Sequence, residues 1–297
     1  MIKDLQNFGK VLENVSLKDY TTYKIGGNAK YLVQPNDKDS LIGLIKYLKD
    51  NKIKWFVIGN GSNLIFSDNI YDGVIIKLDK LNRICFDKTK VIAEAGAMLP
   101  RVAIESINNG LKNLEWATGI PGTIGGSTVG NAGAYKSCMF DFIDNVTILD
   151  ENTEIKVLKK DDIDYKYRHT SFKDNKNIII LEVVMNLEYG DKEESLEKVK
   201  KRLEKRKETQ PLDYPSAGSV FRNPEGDASG RIIEQEVNLK GKMIGGAKVS
   251  EKHANFIINV NNATGKDVKD LIELVHKEVL EKTGINLIPE QEFVNWE

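Results

Sequence analysis

Cysteine is scarce. The 297-residue chain has two, Cys85 and Cys138, in no CxxC pair. That excludes a disulfide framework and a zinc site, and a reducing cytoplasm is the expected compartment. An excess of one charge is also lacking: 43 Lys and Arg against 44 Asp and Glu leave a formal net charge of −1. Nothing in that balance points to nucleic acid or an anionic membrane as partner. Long apolar runs are missing. The best, IIILEVVMNL at 178–187, carries Glu182 and is too short to cross a bilayer. The opening MIKDLQNFGK holds no apolar core of signal-peptide length. His169, His253 and His276 show no metal-ligand spacing, so no metal is expected. Three standard signatures are absent: the P-loop, a GxGxxG opening a helix, and the GxSxG elbow of serine hydrolases. There is no internal repeat and no low-complexity tract.

What is present reads as an α+β protein. The chain is 40% hydrophobic and 29% charged, ordinary for folded domains, and long enough for one large domain or two. Strand-like segments fall at 29–35, 54–59, 73–78, 90–96, 145–150 and 177–187. Between them, 37–52 places Leu41, Leu44, Ile45 and Leu48 on one helical face, and 99–110 is a helix closed by Asn-Gly. The composition then changes. Residues 192–210 form a highly charged helix with a thin stripe of Leu196, Val199 and Leu203, stopped by Pro211. Its interleaved Glu residues favour a solvated face over a basic groove binder. Further on, Thr264 caps a helix that Gly284 ends, with Val268, Leu271, Ile272, Val275 and Val279 on one face, flanked by strand-like 253–260 and 285–293. The expected division is residues 1–190, split again near 80, and residues 191–297.

Two glycine segments ask for a ligand. IGNGSNLIFSD at 58–68 follows a strand and leads into another. Gly59, Asn60, Gly61, Ser62 and Asn63 are able to present successive amides to an anion; a tight hairpin turn is the plainer reading. TGIPGTIGGSTVGNAGAY at 118–135 has six glycines and no charge. Glycine lets a flat ligand approach the backbone, and uncharged surroundings suit an aromatic ring system better than a bare phosphate.

These two segments, with YTTYKIGG (20–27), YRHTSF (167–172), SAGSVFRNP (216–224), GGAKVSEKHANFIIN (245–259) and LIPEQEF (287–293), occur in that order. Together they resemble the UDP-N-acetylenolpyruvoylglucosamine reductase family over nearly the whole chain. The resemblance implies a two-part FAD-binding domain of the vanillyl-alcohol-oxidase (PCMH) type and a C-terminal α+β substrate-binding domain. It implies FAD against Gly119, Ile120, Pro121, Gly122, Gly125, Gly126, Asn131, Ala132 and Gly133, with 59–63 on the pyrophosphate. With neither His nor Cys in 59–63, the FAD is expected to be non-covalent, which argues against a related covalent-flavin oxidase. A sugar-nucleotide binding module without flavin is the third reading, and it predicts a colourless protein.

The implied reaction reduces an enol ether of a UDP-sugar with NADPH, in peptidoglycan precursor synthesis. Arg168 would bind the substrate carboxylate, Ser219 would protonate C2, and Glu290 would share the developing charge or orient the acid. Taken without the family, these are a surface salt bridge, a turn serine and an exposed carboxylate. Tyr167, Arg222, Asn223 and Lys240 are implied substrate contacts. Two departures stand out: Thr170 replaces the usual serine of YRxSxF but keeps the hydroxyl, and the chain reads EQEF where relatives often have Val and Arg after the glutamate. No insertion at 170–215 carries the tyrosine loop of the longer family type, so the shorter type is expected, as a monomer.

Overall fold

The structure, a computed structural model, describes residues 1–296. Packing groups the chain into two compact units: Met1–Glu13, Tyr31–Asn60 and Gly73–Glu204 form the first, and Asn14–Lys30, Gly61–Asp72 and Lys205–Glu297 the second. The units are interleaved along the sequence. Each has its own apolar core, the first built on residues such as Leu44, Val102, Val146 and Val183, the second on Tyr23, Ile25, Ile65, Ile233 and Leu271.

The first unit is organised by a five-stranded antiparallel sheet, in the order Ile155–Lys159, Ile143–Leu149, Ile179–Asn186, Lys90–Glu94, Ile84–Asp87. The central strand is the apolar run with Glu182 in it, and its register sets Glu182 directly opposite Glu94. Like charges facing across a ladder are unfavourable. Here Lys38 Nζ lies 2.7 Å from Glu182 and 3.7 Å from Glu94, and Arg83 reaches Glu94 at 3.2 Å. The pair is neutralised, and the strand keeps its place in the middle of the sheet. The helix Lys38–Asp50 starts at Asp37, whose side chain accepts from Ser40 N at 2.8 Å. Its expected face, Leu41, Leu44, Ile45 and Leu48, is fully buried, at about 1.5–3 kcal/mol of burial for each side chain. Trp55–Ile58 runs parallel to the strand that includes Val74–Lys77.

The second unit pairs Leu64–Phe66 parallel with Glu292–Val294 and sets Met243–Ile244, Ala247–Val249 and Ile257–Asn259 in a small antiparallel sheet. The segment after 58–63 is therefore a strand but not the return arm of a hairpin. The helix Gly265–Thr283 is capped as the sequence indicates. Thr264 Oγ1 accepts from Asp267 N at 3.0 Å, Asp267 accepts from Thr264 N at 2.9 Å, and Gly284 closes the helix with φ +72°. A second carboxylate, Asp68, accepts from Gly265 N at 2.8 Å and Lys266 N at 2.9 Å. Two acids at one N-terminus suit its exposed amides and the helix dipole.

Three local expectations need correction. Leu196 and Leu203 are exposed, and in Lys192–Thr209 the buried positions are Ser195 and Val199. The Ser195 hydroxyl donates to the buried Glu115 at 2.7 Å, so a polar contact stands where an apolar stripe was expected. The strand expected over 253–260 shrinks to Ile257–Asn259, because a turn closed by Phe256 N to His253 O occupies its start. In 285–293 the only regular strand starts at Glu292.

Candidate active site

In the first unit the two glycine segments meet. Asn60 Nδ2 donates to Pro121 O at 2.8 Å, and a side chain on Gly59 would run into Thr123 Oγ1. Thr123 caps the short helix Ile124–Val129, accepting from Gly126 N at 3.3 Å. Gly125 lies where a Cβ would sit 3.0 Å from Ala95 Cβ, and its amide donates to Ala95 O at 2.8 Å. So part of the glycine in 118–135 serves close approach of chain to chain. Gly126 and Gly130 differ: an added Cβ would find its nearest atoms at 3.5 and 3.6 Å, ordinary contact distances, so no neighbouring chain demands glycine there.

The strands Tyr165–Lys166 and His169–Thr170 form a hairpin with Tyr167 and Arg168 at its turn. Arg168 has φ +58°, a left-handed conformation that costs a non-glycine residue about 1 kcal/mol and marks sites where something else fixes the backbone. Three bonds do so. Thr170 Oγ1 donates to Val129 O at 2.7 Å, Asn131 Nδ2 to Lys166 O at 3.1 Å, and Arg168 Nη2 to Gly133 O at 2.6 Å. The YRHTSF hairpin is thus latched onto the glycine-rich segment, and the Thr170 hydroxyl is one of the latches. Thr170→Val should lower stability by about 1–2 kcal/mol, since Thr170 is fully buried and Val129 O would lose its donor. Thr170→Ser should restore most of it in a denaturant titration. A valine variant as stable as the native chain would show that the hydroxyl is not a latch.

In the second unit the segments that carry Ser219 and Glu290 are paired. Ser219 bridges to Phe256, and Glu290 N donates to Val220 O at 2.8 Å. Both are partly buried. The segment is held from the other side by Asn255, which donates to Phe221 O at 2.8 Å and accepts from Phe221 N at 2.9 Å. Asn255 thus ties the SAGSVFRNP segment to the KHANFIIN segment. Arg222, two residues after Val220, has a buried Nε without a hydrogen-bond partner among the described residues. Asn223 Oδ1 accepts from Ser229 N at 3.1 Å, and Lys240 pairs with Glu234 at 2.6 Å. Tyr167 is half-exposed, with the Arg168 guanidinium 5.2 Å from its ring centre.

One residue escaped the sequence reading. Gln291 is buried, and its Nε2 faces three carbonyls, Ala217 at 3.1 Å, Gly218 at 3.3 Å and Ser219 at 3.4 Å. Its Oε1 accepts from Tyr23 OH at 3.1 Å. Burial pushes the Tyr23 phenol well up, so it remains a donor at any working pH, although its bond to Gln291 opposes that shift. The unusual EQEF ending was the only signal of this.

FAD can be tested against these residues. Ser127 Oγ and Trp116 Nε1 are buried with no hydrogen-bond partner among the described residues. A buried polar atom left without a partner is costly, and both belong to the uncharged segment or its edge. Beside an uncharged, glycine-rich backbone, these two atoms fit a flat polar ring system. Residues 29–159 match the model described as FAD binding domain. The fold is also similar to a grass-pollen glucose dehydrogenase, Phl p 4.0202, with a TM-score of 0.52 at 11% identity, over 63% of this chain and 44% of the other. The class is thereby defined: an α+β flavoprotein with a PCMH-type FAD-binding domain.

Residues 210–294 match the model described as UDP-N-acetylenolpyruvoylglucosamine reductase, C-terminal domain. A UDP-N-acetylenolpyruvoylglucosamine reductase from Caldanaerobacter subterraneus subsp. tengcongensis is 46% identical over 99% of this chain and 96% of its own length. One from Caldicellulosiruptor saccharolyticus is 43% identical over 95% and 91%. The crystal structure of the Thermus caldophilus enzyme superposes with a TM-score of 0.82 at 31% identity, over 96% of this chain and 99% of the other. The chain belongs to the UDP-N-acetylenolpyruvoylglucosamine reductase family and is a flavin-dependent oxidoreductase. Among the described residues no helix is long and apolar enough to cross a membrane.

Proposed function

We propose that the chain reduces UDP-N-acetylglucosamine enolpyruvate to UDP-N-acetylmuramate at the expense of NADPH, as a cytoplasmic monomer serving peptidoglycan precursor synthesis. The observation that supports the reading most is the backbone bond of Glu290 N to Val220 O, which pairs the segments carrying Ser219 and Glu290. Residues 59–63, 119–122, 125–126 and 131–133 would hold FAD, as part of an FAD-binding region over 1–190, with substrate binding assigned to 191–297. When bound there, FAD would supply hydride-transfer chemistry, with NADPH as the source of the reducing equivalents.

The chain's own residues do the rest. Arg168 binds the substrate carboxylate; its planar fork matches two oxygens. Hydride addition to the terminal CH₂ leaves negative charge on C2 and the carboxylate, and the Arg168 cation stabilises it as it forms. Ser219 donates the proton to C2. A serine hydroxyl is a weak acid in water, but its acceptor here is strongly basic. Glu290 shares the developing charge if protonated, or orients the hydroxyl. Tyr167, Arg222, Asn223 and Lys240 are assigned to the sugar nucleotide, and the buried Arg222 Nε supports a polar ligand for it.

The purified protein should be yellow, absorbing at about 450 nm, the signature of oxidised flavin carried by a bound cofactor. NADPH should bleach it, and the enolpyruvyl sugar nucleotide should restore the colour with one equivalent of UDP-N-acetylmuramate formed. A protein that bleaches but is not reoxidised by this sugar nucleotide would remove the substrate assignment. Acid precipitation should leave all the colour in the supernatant, because 59–63 contains neither His nor Cys to tether it. Colour in the pellet would place a covalent bond elsewhere.

A further inference from the structure

The structure assigns to Gln291 the role of positioning residue: clamped by Tyr23, it fixes the backbone of residues 217–219 and so aims the Ser219 hydroxyl. The inference rests on the reading of Ser219 as proton donor. A glutamine amide carries two donors and one acceptor group. All of these are engaged here, Nε2 by the carbonyls of Ala217, Gly218 and Ser219, and Oε1 by the Tyr23 hydroxyl. The orientation of the amide is unambiguous, since three carbonyls admit only the NH₂ end. Gly218, at the centre of the trio, has φ +73° and nothing within 4 Å of where a Cβ would be. Its conformation is therefore not imposed by packing on that side, and the convergent carbonyls are what hold the turn. Gln291 and Tyr23 are both buried, so water cannot substitute for a lost bond.

A turn with a soft centre next to the proposed acid has a kinetic consequence. Misplacing a reacting group by about 1 Å costs on the order of 100-fold. Gln291→Met keeps length and apolar volume and removes every bond. It should slow reoxidation of reduced flavin by the enolpyruvyl substrate by about 10- to 100-fold while leaving reduction by NADPH within about twofold. Tyr23→Phe frees Oε1 and should give a smaller loss of the same kind. Gln291→Glu supplies an independent readout. A carboxyl facing three carbonyls in a buried site is held protonated, and its O–H donates to one of them. As pH rises through its raised pKa the donor is lost and repulsion replaces it. Reoxidation by this variant should therefore fall with rising pH along a limb that the native glutamine, which does not titrate, cannot show.

The test is stopped-flow measurement of both half-reactions in the holoenzyme, with thermal unfolding and amide exchange at 217–220 alongside. Gln291→Met is also placed in a Ser219→Ala background. Coupled residues are not additive, so the double variant should be no slower than Ser219→Ala alone, while exchange at 217–220 rises. Full additivity, equal slowing of both half-reactions, or a Gln291→Glu variant without the pH limb would each overturn the assignment. If Ser219→Ala itself leaves reoxidation intact, it is the proton-donor reading that fails, and raised exchange at 217–220 in Gln291→Met still reports whether the clamp exists.

Discussion

Ser219→Ala should leave bleaching of the flavin by NADPH nearly unchanged and slow reoxidation by the enolpyruvyl substrate by about 10²–10⁴-fold, the range for a positioned general acid. Hydride passage from nicotinamide to flavin needs no proton from this hydroxyl; reduction of the substrate does. The Ser219 main chain is held by its bridge to Phe256 and by Gln291, neither of which uses the side chain. Alanine therefore removes the acid and leaves the turn in place. Substrate affinity should shift by only about 0.5–1.5 kcal/mol, the contribution of one neutral hydrogen bond. Cysteine at 219 should recover part of the rate, because a thiol also donates. Equal slowing of the two half-reactions would make Ser219 structural.

Arg168→Lys should cost about 2–4 kcal/mol of transition-state stabilisation, by comparison with loss of a single oxyanion donor. That corresponds to about 30- to 1,000-fold in kcat/KM. Lysine keeps the charge but not the fork. In this chain the guanidinium already donates to Gly133 O at 2.6 Å and reaches Asn131 O at 3.5 Å. Its direction is thus set by the glycine-rich segment before any substrate arrives. An ammonium satisfied by those carbonyls would turn away from a carboxylate, so the loss should appear in kcat as well as in KM. Thermal unfolding of the variant provides the control, since the left-handed φ of +58° is no easier for lysine. Near-native turnover would leave Arg168 as a structural clasp of the hairpin.

What the sequence disclosed was mostly local. Thr264 and Gly284 sit where their own chemistry bounds a helix, and each cap involves a partner within a few residues. The faces Leu41–Leu44–Ile45–Leu48 and Val268–Leu271–Ile272–Val275–Val279 were legible for the same reason, because periodicity is a property of one segment. The motifs located Arg168, Ser219 and Glu290 but not their surroundings. Tyr23 and Gln291 are 268 residues apart, and no pattern within either neighbourhood announces the other. The double use of glycine was also hidden. Gly125 and Gly133 are tight against Ala95 and Ser137, whereas Gly126 and Gly130 would take a Cβ at ordinary contact distance, and a string of letters shows all four alike. Leu196 and Leu203 misled because a helix with so few apolar residues buries what its neighbours supply, here a hydroxyl for Glu115.

The parallel pairing of Leu64–Phe66 with Glu292–Val294 bears on how the molecule comes into being. Asn63 and Glu290, which hydrogen-bond at the edge of that ladder, are 227 residues apart. A ribosome working at about 5–20 residues per second takes about 10–45 s to cover that distance. For all of that interval this strand edge has no native partner, and only water, a chaperone or a wrong strand can meet it. Thus the clamp proposed for its acid cannot form until Gln291 has been synthesised, after every strand of the five-stranded sheet.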